Sequence, residues 1–142
     1  MKKTLTAIMA SLLLIATLLT LAACKSVDPN GLWEGATYLT ERTLGRGDKS
    51  VTVTVEAGDQ SLDFTVRTDK EMLDEALLDV GLVSGEYGSY GLTVISVNGI
   101  EAVWERDNAY WAIYIDGEYS MSGISSIPVE DGRTYKLLWS RM

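Results

Sequence analysis

The sequence contains no histidine and a single cysteine, Cys24. Without histidine, the chain can form neither a Ser-His-Asp nor a Cys-His catalytic arrangement, and it offers no imidazole ligand to a metal. Residues 45–48 (Gly-Arg-Gly-Asp) lack the spacing and the following helix of a phosphate-binding loop. We therefore predict no catalytic activity and no resident metal or cofactor. A glycosidase-type pair of carboxylates stays open, because separation in space is not visible in a sequence.

Basic residues are also scarce, with 12 Lys and Arg against 20 Asp and Glu. The first 23 residues carry two of the lysines and no acid, so residues 24–142 carry 10 bases, 20 acids and a net charge of −10. A chain this acidic repels nucleic acid and anionic lipid head groups. This excess of acidic residues predicts a soluble module that does not bind nucleic acid and is held off the membrane surface.

The N-terminus has the organisation of an export signal. Two lysines precede an apolar stretch at residues 5–21, and Ala22-Ala23 stands directly before Cys24. This arrangement resembles a bacterial lipobox, in which the cysteine thiol is acylated and the bond before it is cut. We predict a signal peptide at residues 1–23 and lipid on Cys24, which would hold the protein permanently on the outer face of the cell membrane. An uncleaved transmembrane helix is the alternative, because the apolar stretch is nearly long enough to span a bilayer.

Residues 24–49 are predicted to connect this anchor to the domain. Residues 25–35 are rich in turn formers and are interpreted as a tether, with Trp33 packing onto the domain. Residues 36–44 are rich in threonine and form a candidate edge strand. The domain itself is predicted to span residues 50–142.

The domain begins with a hairpin and a helix. Apolar and polar residues alternate from Val51 to Val55 and again from Leu62 to Val66, which indicates two strands with one buried face. Helical spacing of apolar residues predicts a helix at about 69–80 that ends at Gly81. The remaining features of this helix are a Thr68-x-x-Glu71 capping box and a solvated face formed by Asp74, Glu75 and Asp79.

The second half of the domain is predicted to be strands and turns. Residues 84–91 are interpreted as a loop, the Asn98-Gly99 and Asp116-Gly117 pairs as type I′ hairpin turns, and residues 100–104 as a strand that follows the first of these turns. The predicted fold class is α+β, a β-grasp-like arrangement of mostly antiparallel sheet with the helix packed on it. A sandwich with the helix as a crossover is the alternative.

The hairpin at residues 110–121 is unusually aromatic. Tyr110, Ala112 and Tyr114 share one face of its first strand, and Trp111, Ile113 and Ile115 share the other. One face can build a core. The other is expected either to be covered by the chain or to bind a partner or ligand.

Residues 50–142 resemble a bacterial lipoprotein domain of unknown function. The resemblance is carried by Asn98-Gly99, Tyr110-Trp111, Asp116-Gly117, Gly123 and Asp131-Gly132. That domain is similar to the C-terminal β-domain of the cobalamin carriers transcobalamin and intrinsic factor. The resemblance implies a β-rich domain with one helix that covers one face of a corrin. It points to Tyr110 and Trp111, and also to the Asn98-Gly99 turn and residues 123–126.

These observations predict a ligand-binding module that captures cobalamin, a related cobamide or another small molecule for a membrane importer. The alternatives are a module that binds another envelope protein through a sheet edge, and metal binding by acidic turns. Since the chain lacks the helical barrel of the carriers, it can cover only part of a corrin. The predicted ligand-binding residues are Tyr110, Trp111, Tyr114, Asn98, Gly99, Tyr87 and Tyr90.

Overall fold

The computed structural model describes residues 31–142. The predicted signal peptide, Cys24 and the first part of the predicted tether lie outside the described residues. Within residues 31–142, no helix is long and apolar enough to cross a membrane.

Two sheets form the domain. The larger has six strands in the order β1-β3-β2-β9-β7-β8, and the smaller has three in the order β4-β5-β6. The strands are β1 (Arg42–Gly45), β2 (Lys49–Ala57), β3 (Gln60–Thr68), β4 (Val83–Gly88), β5 (Gly91–Val97), β6 (Ile100–Glu101), β7 (Ala109–Ile115), β8 (Glu118–Tyr119) and β9 (Thr134–Arg141). The α-helices are α1 (Leu73–Asp79) and α2 (Trp104–Asp107), and short 3₁₀ turns lie at Leu32–Gly35 and Ile124–Ser126.

The predicted α+β fold class is confirmed. β2 and β3 form the first hairpin, the last strand β9 lies parallel to β2, and β7 lies antiparallel to β9. The hairpin, helix and returning strand thus give the β-grasp-like order that the sequence predicts. β1 adds a second parallel pairing at the edge, along β3.

Alternation along the strands builds the core. Val51, Val53 and Val55 are buried on one face of β2, and Tyr135 and Leu137 continue that face on β9. Helix α1 packs against β3, β4 and the 124–126 turn. Because each fully buried aliphatic side chain contributes about 1.5–3 kcal/mol, this face dominates the stability of the domain.

Helix α1 is shorter than predicted. It begins at Leu73 after Met72, with no side-chain cap, and the Thr68 hydroxyl accepts from the Lys70 backbone N–H instead. The predicted capping box is therefore wrong. The end is as predicted, because Gly81 has φ +70° and the Leu82 N–H reaches the Leu77 carbonyl in a Schellman motif.

The predicted loop at residues 84–91 is wrong, because this segment pairs as β4 with β5 and turns at Ser89 and Tyr90. A bulge lies between Ser84 and Gly85. The predicted strand after Asn98-Gly99 is also shorter, since β6 ends at Glu101 and α2 follows. The type I′ turns are correct, with φ of 52° at Asn98 and 48° at Asp116.

The N-terminal segment packs on the domain from Gly31 onward, so this part of the tether prediction is wrong. Trp33 is buried, as expected, and its indole N–H donates to the Ala57 carbonyl over 2.8 Å. The threonine-rich segment contributes β1 at the sheet edge, as a four-residue strand. The folded unit therefore begins well before residue 50.

Candidate functional site

An apolar cleft of about 260 Å³ lies where the smaller sheet, α2 and the start of β7 meet. Half of its lining residues are aliphatic, and Trp104 and Tyr110 are its aromatic members. Trp104 is 49% exposed, which is unusual for a tryptophan. The lining residues are Glu86, Thr93, Val94, Ile95, Ala102, Val103, Trp104, Glu105, Ala109 and Tyr110.

Of the predicted ligand-binding residues, Tyr110 lines this cleft. Its phenol also interacts with Tyr114 of the same strand and with Tyr119 of β8. A hydrogen bond with Tyr119 and then desolvation raise the pKa of Tyr110, so its phenol stays neutral at physiological pH.

Trp111 lies on the opposite face of β7 and is only 6% exposed. It belongs to the core and does not line the apolar cleft, so its predicted ligand-binding role stays a prediction that this geometry does not support. Its indole nitrogen Nε1 is buried without a hydrogen-bond partner among the described residues. Successive side chains of a β-strand lie on opposite faces, so Tyr110 and Trp111 face apart, and the face that carries Trp111 packs into the core.

Tyr114 lies on the outer face of the larger sheet and is partly covered by the chain itself. Its ring packs edge-on against Tyr119 at a centroid distance of 5.6 Å. The Lys136 ammonium lies 4.7 Å above the Tyr114 ring and 3.4 Å from a Glu56 carboxylate oxygen. The surface around Tyr114 is therefore amphipathic. Tyr114 itself does not line the apolar cleft, whereas Tyr110 on the same face of β7 does.

Asn98 and Gly99 hold the N-terminal segment in place. The Asn98 side chain accepts from the Tyr38 backbone N–H and donates to the Tyr38 carbonyl, each over 2.9 Å. A side chain at Gly99 would collide with the Gly35 carbonyl and with Thr37. The oxygen and the nitrogen of the Asn98 amide thus both bond within the chain, and this geometry does not support the predicted contact of Asn98 with a ligand.

Tyr87 and Tyr90 lie in the β4–β5 hairpin and are 62% and 99% exposed. The Tyr87 hydroxyl donates to the Asp74 carboxylate over 2.9 Å. Neither residue lines the apolar cleft. Their ligand-binding role stays a prediction, as a surface separate from the cleft.

Asp74 is the buried polar residue that the sequence reading placed in solvent. It is 4% exposed and accepts hydrogen bonds from the Tyr87 and Ser125 hydroxyls and the Glu75 backbone N–H. The prediction of a solvated Asp74 is wrong. The available signal was its spacing, because Leu77 and Leu78 follow Asp74 by three and four positions and thus share its side of the helix.

A second, polar cleft of about 510 Å³ lies on the other side of α2. Its Arg106 guanidinium bonds to the carboxylates of Asp107 and Glu101 at 2.9 and 3.0 Å. The Arg106 hydrogen bonds, followed by the Val103 backbone N–H, lower the pKa of Asp107. With Arg141, which also lines this cleft, two bases balance these two acids.

Within residues 31–142, no group of three or more His, Cys, Asp or Glu side chains is arranged to hold a metal ion. The acidic turns that the sequence offered as metal ligands converge on a cationic side chain, because Asp116 and Glu130 both pair with Arg133, Glu130 over 2.7 Å. Asp116 pairs with Arg133 over 3.1 Å, and Asp131 accepts from the Ser50 backbone N–H.

Two of the solved structures that are similar to this chain bear on its function. The first, from Ruminococcus gnavus ATCC 29149 and described as a "putative metal binding protein", has 33% identity and a TM-score of 0.63, with 67% of this chain and 99% of that chain covered. The second is haptocorrin in complex with Cbi, with 21% identity and a TM-score of 0.52 over 66% of this chain and 25% of that chain. This second likeness shows the fold alone. A search of curated proteins found no match.

The family comparison covers the part of the chain that carries the apolar cleft. Residues 70–140 match the model of the "Domain of unknown function (DUF4430)". The predicted relationship to a domain of unknown function with a transcobalamin-like fold is thus confirmed, whereas lipidation stays a prediction. The chain belongs to the DUF4430 family.

Proposed function

We propose that this protein is a non-catalytic module that binds a small molecule on the outer face of a bacterial cell membrane. The observation that carries the proposal is the apolar cleft, whose aliphatic wall, half-exposed Trp104 and few polar groups have the composition of a ligand site. A half-exposed tryptophan leaves apolar area in water, and a ligand that covers it removes that cost.

A cobamide is one candidate ligand, supported by the fold shared with haptocorrin, whose structure contains Cbi. A corrin is larger than a cleft of about 260 Å³, so the domain would cover only part of it. Partial coverage suits transient capture and transfer to a membrane importer better than tight storage, because good pockets bury about 70–90% of their ligand.

Tryptophan fluorescence of residues 25–142 during titration with cobinamide and cyanocobalamin, corrected for absorbance, tests the cobamide. We expect saturable quenching that weakens at least about tenfold in Trp104→Ala, because a buried aromatic contact contributes at least about 1.4 kcal/mol. Leu39→Ala is the control, since this exposed residue lies outside the cleft and has no predicted binding role. A flat titration of the folded protein would remove cobamides from consideration.

Membrane attachment is tested separately. The lipobox-like residues before Cys24 support lipidation, which predicts that the full chain fractionates with membranes and carries acyl groups detectable by mass spectrometry. Cys24→Ala should lose the acyl mass. An unmodified cysteine in the wild-type chain would contradict the proposal.

A protein-binding role is the second candidate, favoured by the exposed outer edge of β1. An extended segment of another envelope protein could pair with this edge. Thr43→Pro removes a backbone N–H from β1 and should abolish a partner that is crosslinked in native membranes. An unchanged crosslinking pattern would count against this role.

A further inference from the structure

We infer that the apolar cleft selects a small organic cation, such as a quaternary ammonium or a protonated amine. This inference deepens the proposed function and rests on it. It concerns the charge of the ligand, which the aliphatic wall alone leaves open.

Two carboxylates give the cleft its charge. Glu86 comes from β4 and Glu105 from α2, and both line the cleft with exposed side chains. Among the described residues, neither makes an ion pair or a side-chain hydrogen bond. Arg106, next to Glu105 in the chain, is held by Glu101 and Asp107 on the other side of α2. The lining thus carries two acids and no base.

The aromatic wall suits the same charge. An indole ring is the strongest side-chain partner for a cation, and Trp104 is 49% exposed beside Glu105. The aliphatic remainder of the wall, such as Val94, Ile95 and Val103, suits alkyl groups attached to the charged nitrogen. A cation bound here would contact an aromatic ring, two carboxylates and apolar side chains together.

A bare metal ion fits the cleft less well. Calcium takes six to eight oxygen ligands, and two carboxylates supply too few. The described residues contain no group of three acidic or other metal-ligating side chains. The charge of the cleft is therefore better matched by an alkylated nitrogen, which needs no inner shell of oxygen ligands.

Choline and its neutral dimethylbutanol isostere, in which a carbon replaces the charged nitrogen, provide a matched pair of probes. Nitrogen–proton correlation NMR spectra of residues 25–142 contain one indole signal for each of the four tryptophans. We expect choline to shift the Trp104 signal saturably, with an affinity at least about fivefold higher than that of the isostere. Added salt should weaken choline binding, because the carboxylates are exposed.

Charge-neutralising variants test whether the two carboxylates of the cleft contribute to choline binding. Glu86→Gln and Glu105→Gln should each weaken choline binding by roughly two- to fivefold. Asp59→Asn removes the same charge in the exposed β2–β3 turn, away from the cleft, and should leave the affinity within about twofold. Circular dichroism confirms that each variant is folded.

The outcomes separate this inference from the proposed function. Equal binding of choline and the isostere would overturn selection for a cation and leave a small-molecule cleft. Binding of a corrinoid at Trp104 without binding of choline would do the same. A cleft that binds neither corrinoid, choline nor isostere would overturn both proposals.

Discussion

At the scale of single residues, Asp74 has the largest structural role that the sequence did not reveal. Its carboxylate is buried, and hydrogen bonds from Tyr87, Ser125 and the Glu75 backbone satisfy it without a cation. The Ser125 hydroxyl in turn accepts from the Leu92 N–H over 2.9 Å. One side chain thereby connects α1, the β4–β5 hairpin and the 124–126 turn.

Asp74→Ala should lower the free energy of unfolding by about 2–3 kcal/mol, because it removes hydrogen bonds to a charged group and leaves their donors unmatched. Urea denaturation followed by circular dichroism measures this cost. The matched control is Asp79→Ala, an exposed acid on the same helix, which should cost less than about 0.5 kcal/mol. Equal costs for the two variants would show that the Asp74 network contributes nothing.

Tyr87 gives this network a pH dependence. Its hydrogen bond to Asp74, followed by desolvation, raises the pKa of Tyr87 above the ordinary value for a tyrosine. Because the folded-state pKa is raised, the stabilisation is fully present below about pH 10 and is lost as the pH rises through the folded-state pKa. Melting temperatures from pH 8 to 11 should fall less steeply in Tyr87→Phe than in the wild type, and parallel curves would contradict this account.

The positions of the two tryptophans Trp111 and Trp104 could not be predicted from the sequence. Period two correctly separated Tyr110 from Trp111, but it could not say which face the core would take. Trp111 is buried, and Trp104, which the sequence reading placed at the end of a strand, lines the cleft. Such assignments depend on contacts between distant segments.

At the scale of elements, the strongest local signals were the reliable ones. Asn98-Gly99 and Asp116-Gly117 predicted their turns because few residue pairs tolerate positive φ at both positions. The β4 strand was missed because its Gly, Ser and Tyr composition is typical of a loop. Its pairing with β5 depends on the bulge at Gly85, which has no such signature.

Gly85→Ala should disrupt this hairpin, because the added methyl group would overlap the Thr93 carbonyl of the paired strand. We expect a loss of stability of about 2 kcal/mol or more, as for overpacked sites. Gly88→Ala in the same strand is the control, since nothing lies within 4 Å of the added group. Thermal melting compares the two, and a tolerated Gly85→Ala would contradict the described bulge.

Asn98→Gly should loosen the N-terminal segment, because glycine keeps the positive φ and removes both hydrogen bonds to Tyr38. Loss of two buried hydrogen bonds predicts a cost of about 1–3 kcal/mol. Faster amide hydrogen exchange in residues 31–45 would place that cost in the segment. Asn108→Gly has the same backbone conformation at an exposed site and is the control.

At the scale of the whole molecule, the order of elements was predictable and the second sheet was not. Alternating valines and one amphipathic stripe defined the hairpin, the helix and the returning strand. The smaller sheet creates the apolar cleft by meeting α2 and β7, and the lining residues Glu86 of β4 and Tyr110 of β7 are 24 positions apart in the sequence. The cleft is therefore a product of tertiary packing, and only Tyr110 of its lining was predicted.

Native mass spectrometry of the protein, purified gently from the cells that express it, tests the central claim most directly. A ligand-binding module should retain a small molecule at a defined stoichiometry, and Trp104→Ala should lose it while the exposed control Leu39→Ala keeps it. A wild-type protein that carries no small molecule, and acquires none from an extract of the same cells, would contradict the account.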